Sequence, residues 1–231
     1  MRRLIPMAAL GCVVAVTLAL RADDKKDDAK AAAKKEPAGK FEYIDIQAKA
    51  NSKLKDDFHG TQFPGNNLGS LPTGEQTFAD VKFKIGEKFL QLGSTNLQDM
   101  PDKLEGIEVN KKAAKLHFLH ATGWFADDET VIGEYVVNWD DGTSVTIPIA
   151  YGKDVRDWWY GDDDPEPTQG KVAWKGENEG ATSNMKKIRL YLTTWENAKP
   201  DKKIKSIDFT TSKETGCAPF CVAITAEEKK Q

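Results

Sequence analysis

The chain has 231 residues, with 33 Lys+Arg against 36 Asp+Glu, and that length holds one ordinary domain or two small ones. A formal charge of −3 argues against a nucleic-acid binder, which would carry a strongly basic face. Hydrophobic content of 39 % is low and charged content of 30 % is high for a globular chain, yet six Trp, ten Phe and five Tyr are present, so the averages blend unlike segments.

Arg2 and Arg3 precede an apolar run from Leu4 to Leu20, and Leu20-Arg21-Ala22 ends it with a small residue. This pattern predicts a secretory signal peptide over 1–22. The run is short of the roughly 20 apolar residues a membrane span needs, so no transmembrane segment is expected after cleavage. Ala9-Leu10-Gly11-Cys12 loosely resembles a lipobox, but the apolar run continues past Cys12, and cleavage is the preferred reading. Residues 23–40 are built almost wholly from Asp, Lys, Ala and Glu. Nothing there can bury enough surface to offset chain entropy, which predicts a disordered charged linker. The folded domain is then 41–231, in a secreted or periplasmic protein.

Within the domain the dominant period is two. In Thr77 to Ile85, Ala79, Val81, Phe83 and Ile85 alternate with Asp80, Lys82 and Lys84. That predicts one strand with a dry and a wet face. Lys115 to Ala121 is more apolar and suits a central strand. Val131 to Trp139 and Thr143 to Tyr151 are joined through Asp140-Asp141-Gly142, a strong hairpin signal. Lys187 to Trp195, Lys203 to Thr210 and Phe220 to Thr225 add three strands. Leu104 to Val109 and Phe89 to Leu92 are shorter candidates, with Tyr43 to Ala48 at an edge. No long amphipathic helix is evident. The expectation is an all-β, jelly-roll-like β-sandwich of two antiparallel sheets, with a closed barrel as the alternative.

Cys217 and Cys221 form C-x3-C around Pro219. With Cys12 lost, these two would pair as a disulfide in an oxidising compartment, Pro219 supplying the turn. His117 and His120 are three apart, which on a strand puts them on opposite faces. Hydrogen-bonded core histidines are therefore expected there, not a shared metal. Asp162, Asp163 and Asp164 lie in a Gly/Pro-flanked loop, as hard oxygen ligands suited to a structural Ca²⁺ or simply as a solvated turn. Paired carboxylates could also serve glycoside hydrolysis, but the abundance of acids proves nothing by itself.

The aromatics are more suggestive. Trp124, Trp158, Trp159, Tyr160, Trp174 and Trp195 fall at strand ends or in predicted loops. An aromatic face can stack on the C–H face of a sugar ring while nearby polar groups bond its hydroxyls. Trp158, Trp159, Tyr160 and Trp174, with Asp157 and Arg156, form the candidate ligand site. On a strand, neighbours point to opposite faces, so one of Trp158 and Trp159 is expected in the core.

The order of motifs is also informative. Leu71-Pro72-Thr73-Gly74 precedes Val81-Lys82-Phe83, and Gly106-Ile107-Glu108-Val109 leads into Lys115 to Ala121. Then follow Gly133-Glu134-Tyr135-Val136-Val137, Asp157-Trp158-Trp159, Ala173-Trp174-Lys175-Gly176 and Trp195-Glu196-Asn197. Ile204 to Phe209 and Ala223-Ile224-Thr225 close the series. This series, from Ile44 to Thr225, resembles a secreted bacterial galactose-binding-like domain, found alone or beside polysaccharide-degrading enzymes. The resemblance implies a jelly roll and carbohydrate recognition, and brings no catalytic residues. The sequence departs from it at Trp195 to Pro200, where an Asn-Pro turn would be expected, and at Cys217 and Cys221.

The leading expectation is a non-catalytic binding module for a glycan or envelope polymer, with no nucleic-acid partner. The alternatives are a structural or protein-interaction domain of the cell envelope, with its Trp residues in the core, and a hydrolase using loop carboxylates. Removing the three arginines of 1–22 and the net +1 of 23–40 leaves the domain itself at −7, which suits a neutral, hydroxyl-rich partner.

Overall fold

The computed structural model describes residues 39–60 and 63–229. The signal peptide predicted at 1–22, and all of the predicted linker before Gly39, lie outside the described residues. Within them the chain forms fourteen strands. These are β1 (Phe41–Ile44), β2 (Ser52–Lys53), β3 (Gly74–Phe78), β4 (Val81–Ile85), β5 (Lys88–Gln91), β6 (Lys103–Lys112) and β7 (Lys115–Gly123). They continue as β8 (Val131–Trp139), β9 (Ser144–Ala150), β10 (Trp159–Tyr160), β11 (Lys171–Gly176), β12 (Lys187–Glu196), β13 (Lys203–Thr211) and β14 (Ala218–Glu227). One short helix, α1 (Glu179–Thr182), is capped by the Asn178 side chain, whose oxygen accepts from the Ala181 amide at 2.7 Å.

The architecture is all-β with antiparallel sheets, consistent with a β-sandwich. The larger sheet runs β10-β12-β7-β14-β5-β2, with β1 also on β14 and β11 also on β12. The smaller sheet runs β6-β13-β8-β9, and β3-β4 is a separate hairpin. The two main sheets meet through stacked rings. Tyr135 of β8 lies 4.0 Å from Phe118 of β7 and 4.8 Å from Phe209 of β13, centroid to centroid. A second aromatic cluster joins Phe89 of β5, Phe220 of β14, Phe58 and Trp158. β7 and β14 are buried along nearly their whole length. Strands covered on both faces read as near-continuous apolar runs rather than alternating ones, which is why Lys115 to Ala121 looks central in the sequence.

The hairpin expected at Asp140-Asp141-Gly142 forms between β8 and β9, with Gly142 at φ 83° and its amide donating to the Trp139 carbonyl. The single strand expected over Thr77 to Ile85 is instead two strands. Ala79 and Asp80 both take positive φ and turn the chain between β3 and β4, so only Val81, Phe83 and Ile85 follow the dry-face pattern. The histidines separate as expected. His117 bonds Thr194 at 2.8 Å and Glu227 at 3.1 Å, while His120 bonds Tyr135 at 3.1 Å and Thr193.

The expected disulfide is absent, because Cys217 and Cys221 are free, buried thiols. Pro219 makes no turn. It lies within β14, opposite Thr122, and its carbonyl accepts from the Leu92 amide. Four residues of extended chain span about 13 Å, well beyond the Cα separation a disulfide tolerates. Burial pushes the Cys217 thiol up to about 11 and the Cys221 thiol up to about 12.

Candidate functional site

The site is built where the chain leaves β9. The Asp154 carboxylate caps the Ala150 amide at 2.8 Å and folds the segment back. Asp157 then forms an isolated bridge with Thr122, and the Trp158 amide donates to the Thr122 carbonyl at 2.9 Å. Trp159 and Tyr160 follow as β10 on the edge of β12. Extended backbone sends Trp158 and Trp159 opposite ways. Trp158 is 2 % exposed and stacks on Phe58 at 4.7 Å. Trp159 is half-buried at the surface, where its indole N–H donates to Asn66 Oδ1 at 2.9 Å.

Trp159 forms one wall of a cleft of about 160 Å³ that His59, Phe63, Asn66, Trp124, Asp157 and Trp158 complete. Phe63 meets Trp159 edge-on at 5.0 Å, and His59 lies 5.0 Å from Trp124. The backbone is held in unusual states to place these rings. His59 has φ 64° and Trp124 has φ 61°. The left-handed region costs a non-glycine residue of order 1–3 kcal/mol and persists only where the surroundings enforce it. Gly123 is part of that enforcement. A Cβ there would sit 2.6 Å from the His59 ring, so only glycine lets the imidazole lie against the end of β7.

The polar groups of the cleft are mostly committed. Asn66 Nδ2 donates to the Phe58 carbonyl at 2.9 Å. The Gln91 amide nitrogen donates to the Leu92 carbonyl at 2.7 Å, so its oxygen is the acceptor that faces His59 Nε2 at 3.1 Å. That arrangement puts the imidazole proton on Nε2, and burial holds the ring neutral by lowering its pKa to about 3. Asp157 Oδ1 accepts from the Trp159 amide at 3.1 Å. Desolvation nevertheless pushes the Asp157 carboxyl up to about 7. That amide and the charges of Arg189 and Lys186 pull the other way, and Asp164 adds to the rise. The cleft therefore combines aromatic faces with one carboxyl poised near neutrality. On the far side of His59 an open groove of about 570 Å³ continues past Asp56, Asp57, Leu97 and Met100.

Of the residues singled out in the sequence, the structure brings Asp157, Trp158 and Trp159 to this cleft. Trp158 is beneath its surface, as part of the core. Tyr160 is 7 % exposed and lies under the Arg189 guanidinium at 4.7 Å. Arg156 is engaged by Asp128 at 2.9 Å and lies over Tyr151, and is not part of the cleft lining. The Trp174 ring rests over Gly176, also outside the lining.

The aspartate loop is held by amides and lysines. Asp162 pairs with Lys187 at 2.9 Å, and Asp164 accepts from the Gly161 amide at 2.7 Å and from Lys186 at 3.1 Å. Among the described residues no three His, Cys, Asp or Glu side chains gather as a set able to hold a metal ion. His59, Phe63 and Asn66 carry no motif that marks them in the sequence. Trp124 stands out only as a Trp next to another aromatic, Phe125, which is 77 % exposed beside the cleft wall. No protein-family model matches the chain, and no curated protein matches it.

Proposed function

We propose that this is a secreted, non-catalytic binding module of the galactose-binding-like jelly-roll kind, which holds a carbohydrate or envelope polymer against the aromatic cleft. The observation that carries this reading is the convergence of Trp124, Trp159, Phe63, His59 and Asp157 on one cleft. Aromatic faces take the apolar faces of sugar rings, and the carboxyl takes hydroxyl protons. A larger groove lies beside the cleft, with His59 lining both. The strain at His59 and Trp124 supports the same reading, because strained backbone clusters at ligand clamps.

The second reading is a structural or protein-interaction domain of the cell envelope. Trp139 and Trp158 are core residues, as that reading requires. Trp124, Trp159, Trp174 and Trp195 are only half-buried, which favours the binding reading.

Affinity electrophoresis against plant, algal and bacterial polysaccharides tests the proposal. Trp124→Ala and Trp159→Ala are expected to weaken retardation at least about tenfold, the effect of removing a buried aromatic anchor. Trp174→Ala is expected to leave it unchanged. No retardation on any polysaccharide, or equal loss in all three variants, would contradict the assignment.

A further inference from the structure

We propose that the cleft takes a positively charged ammonium group carried by the bound polymer, with the Asp157 carboxylate as its counter-charge. This rests on the binding reading above and names the chemistry of the ligand. Four observations point to it.

First, Trp124, Trp159, Phe63 and His59 line the cleft with Trp158 beneath it, a concentration of aromatic rings of the type that attracts cations through the ring quadrupole. Second, among the described residues no lysine or arginine lines the cleft. Third, the cleft's N–H groups are largely spent inside the protein. Trp159 Nε1 goes to Asn66, Asn66 Nδ2 to Phe58, and His59 Nε2 to Gln91. Asp157 accepts the Trp159 amide at Oδ1 and keeps further acceptor capacity on its carboxylate. Fourth, the segments that supply the lining carry exposed acids, Asp57 before His59, Asp127 and Glu129 after Trp124, and Asp163 after Trp159. They add to the field of a domain that is acidic overall.

The cleft's size fits one small group and not a whole oligosaccharide. At about 160 Å³ it is below the roughly 300–1,000 Å³ of a typical ligand pocket. A polymer would therefore place one substituent in the cleft and run along the neighbouring groove. A protonated amine also has a reason to prefer Asp157 to water. The carboxyl is desolvated, Arg189, whose charge acts on it, is held by the Tyr160 and Tyr191 rings and the Pro165 carbonyl, and a ligand charge would supply the missing compensation.

Titrating the full chain by tryptophan fluorescence at neutral pH tests this. The probes are a glucosamine tetramer, its N-acetylated counterpart, and choline. The glucosamine tetramer is expected to bind at least about tenfold more tightly than the acetylated one. Asp157→Asn is expected to erase the difference between the two tetramers. A choline response with no response to the glucosamine tetramer would assign the charge to an alkylated amine and still support the cation site.

Equal affinity for the charged and acetylated tetramers, with choline silent, would overturn the cation site and leave the binding reading standing. Silence toward all three probes, in a chain that polysaccharide gels do retard, also overturns it. Silence toward probes and gels alike overturns both readings. An amine preference that survives in Asp157→Asn removes Asp157 from the role. Should that variant fail to fold, the wild-type comparison of the two tetramers decides the cation question alone.

Discussion

Trp158→Ala is expected to lower the unfolding free energy by about 3–5 kcal/mol, the usual cost of truncating a fully buried large aromatic. The ring is 2 % exposed and packs between the segment 58–59 and β14. It stacks on Phe58 at 4.7 Å, meets Phe220 edge-on at 5.8 Å, and meets His59 edge-on at 5.7 Å. Its backbone is bonded on both sides, to Thr122 on β7 and to Arg189 on β12. The cavity left by alanine cannot close easily, because its walls belong to both a strand and a loop. Trp159→Ala removes a ring that is only half-buried, and is expected to cost much less. Urea denaturation of the two variants against wild type measures the contrast. A Trp158→Ala cost below about 1 kcal/mol would mean that the ring is not core, and that the loop beneath the cleft is not anchored by it.

Asp157→Asn is expected to stabilise the domain increasingly as pH rises from 4 to 8. The folded carboxyl titrates near 7, above its ordinary value. Between that ordinary value and about 7, the folded chain keeps a proton that the unfolded chain has released. Stability from this group is therefore fully present in acid and declines as pH rises, by about 1.4 kcal/mol for each unit of the shift. Asparagine keeps the oxygen that accepts the Trp159 amide and removes the buried charge.

His59 and His120 act in the opposite sense. Burial holds both near 3, so stability is lost as pH falls from the usual histidine range toward that value. The wild-type profile mixes these effects, but the difference between variant and wild type isolates Asp157. Urea unfolding at pH 4, 6 and 8 reads it. A difference that stays flat with pH would mean that the carboxyl is solvated.

The elements legible in the sequence are those whose local signal and tertiary role agree. β8 and β9 follow from β-rich runs around Asp140-Asp141-Gly142, because Gly142 needs the positive φ that the turn gives it. β7 and β14 follow from apolar runs because both faces are covered. The failures have specific causes. Ala79-Asp80 turns the chain without a glycine, so the alternation ran straight through a hairpin. β11 was invisible because a register shift between Val172 and Trp174 breaks its period. Pro219 suggested a turn, and the cysteine spacing then suggested a bridge that an extended strand forbids.

The site was legible by half. Asp157-Trp158-Trp159 is an acid and two aromatics in a row, and the period-two rule separates the core ring from the surface ring. Asn66 and Trp159 are 93 residues apart, and no local pattern joins them. His59 and Trp124 take their places through left-handed backbone that nothing in their side chains favours, held by contacts such as the one at Gly123.

The central claim is that ligand binds at the cleft between Trp124 and Trp159. Indole N–H resonances in a ¹⁵N-labelled domain test it most directly, assigned by single Trp→Phe variants and followed as a retarding polysaccharide fragment is added. Trp124 and Trp159 are expected to shift while Trp139, Trp174 and Trp195 stay in place. Shifts at Trp174 or Trp195 with Trp124 and Trp159 unmoved would contradict it.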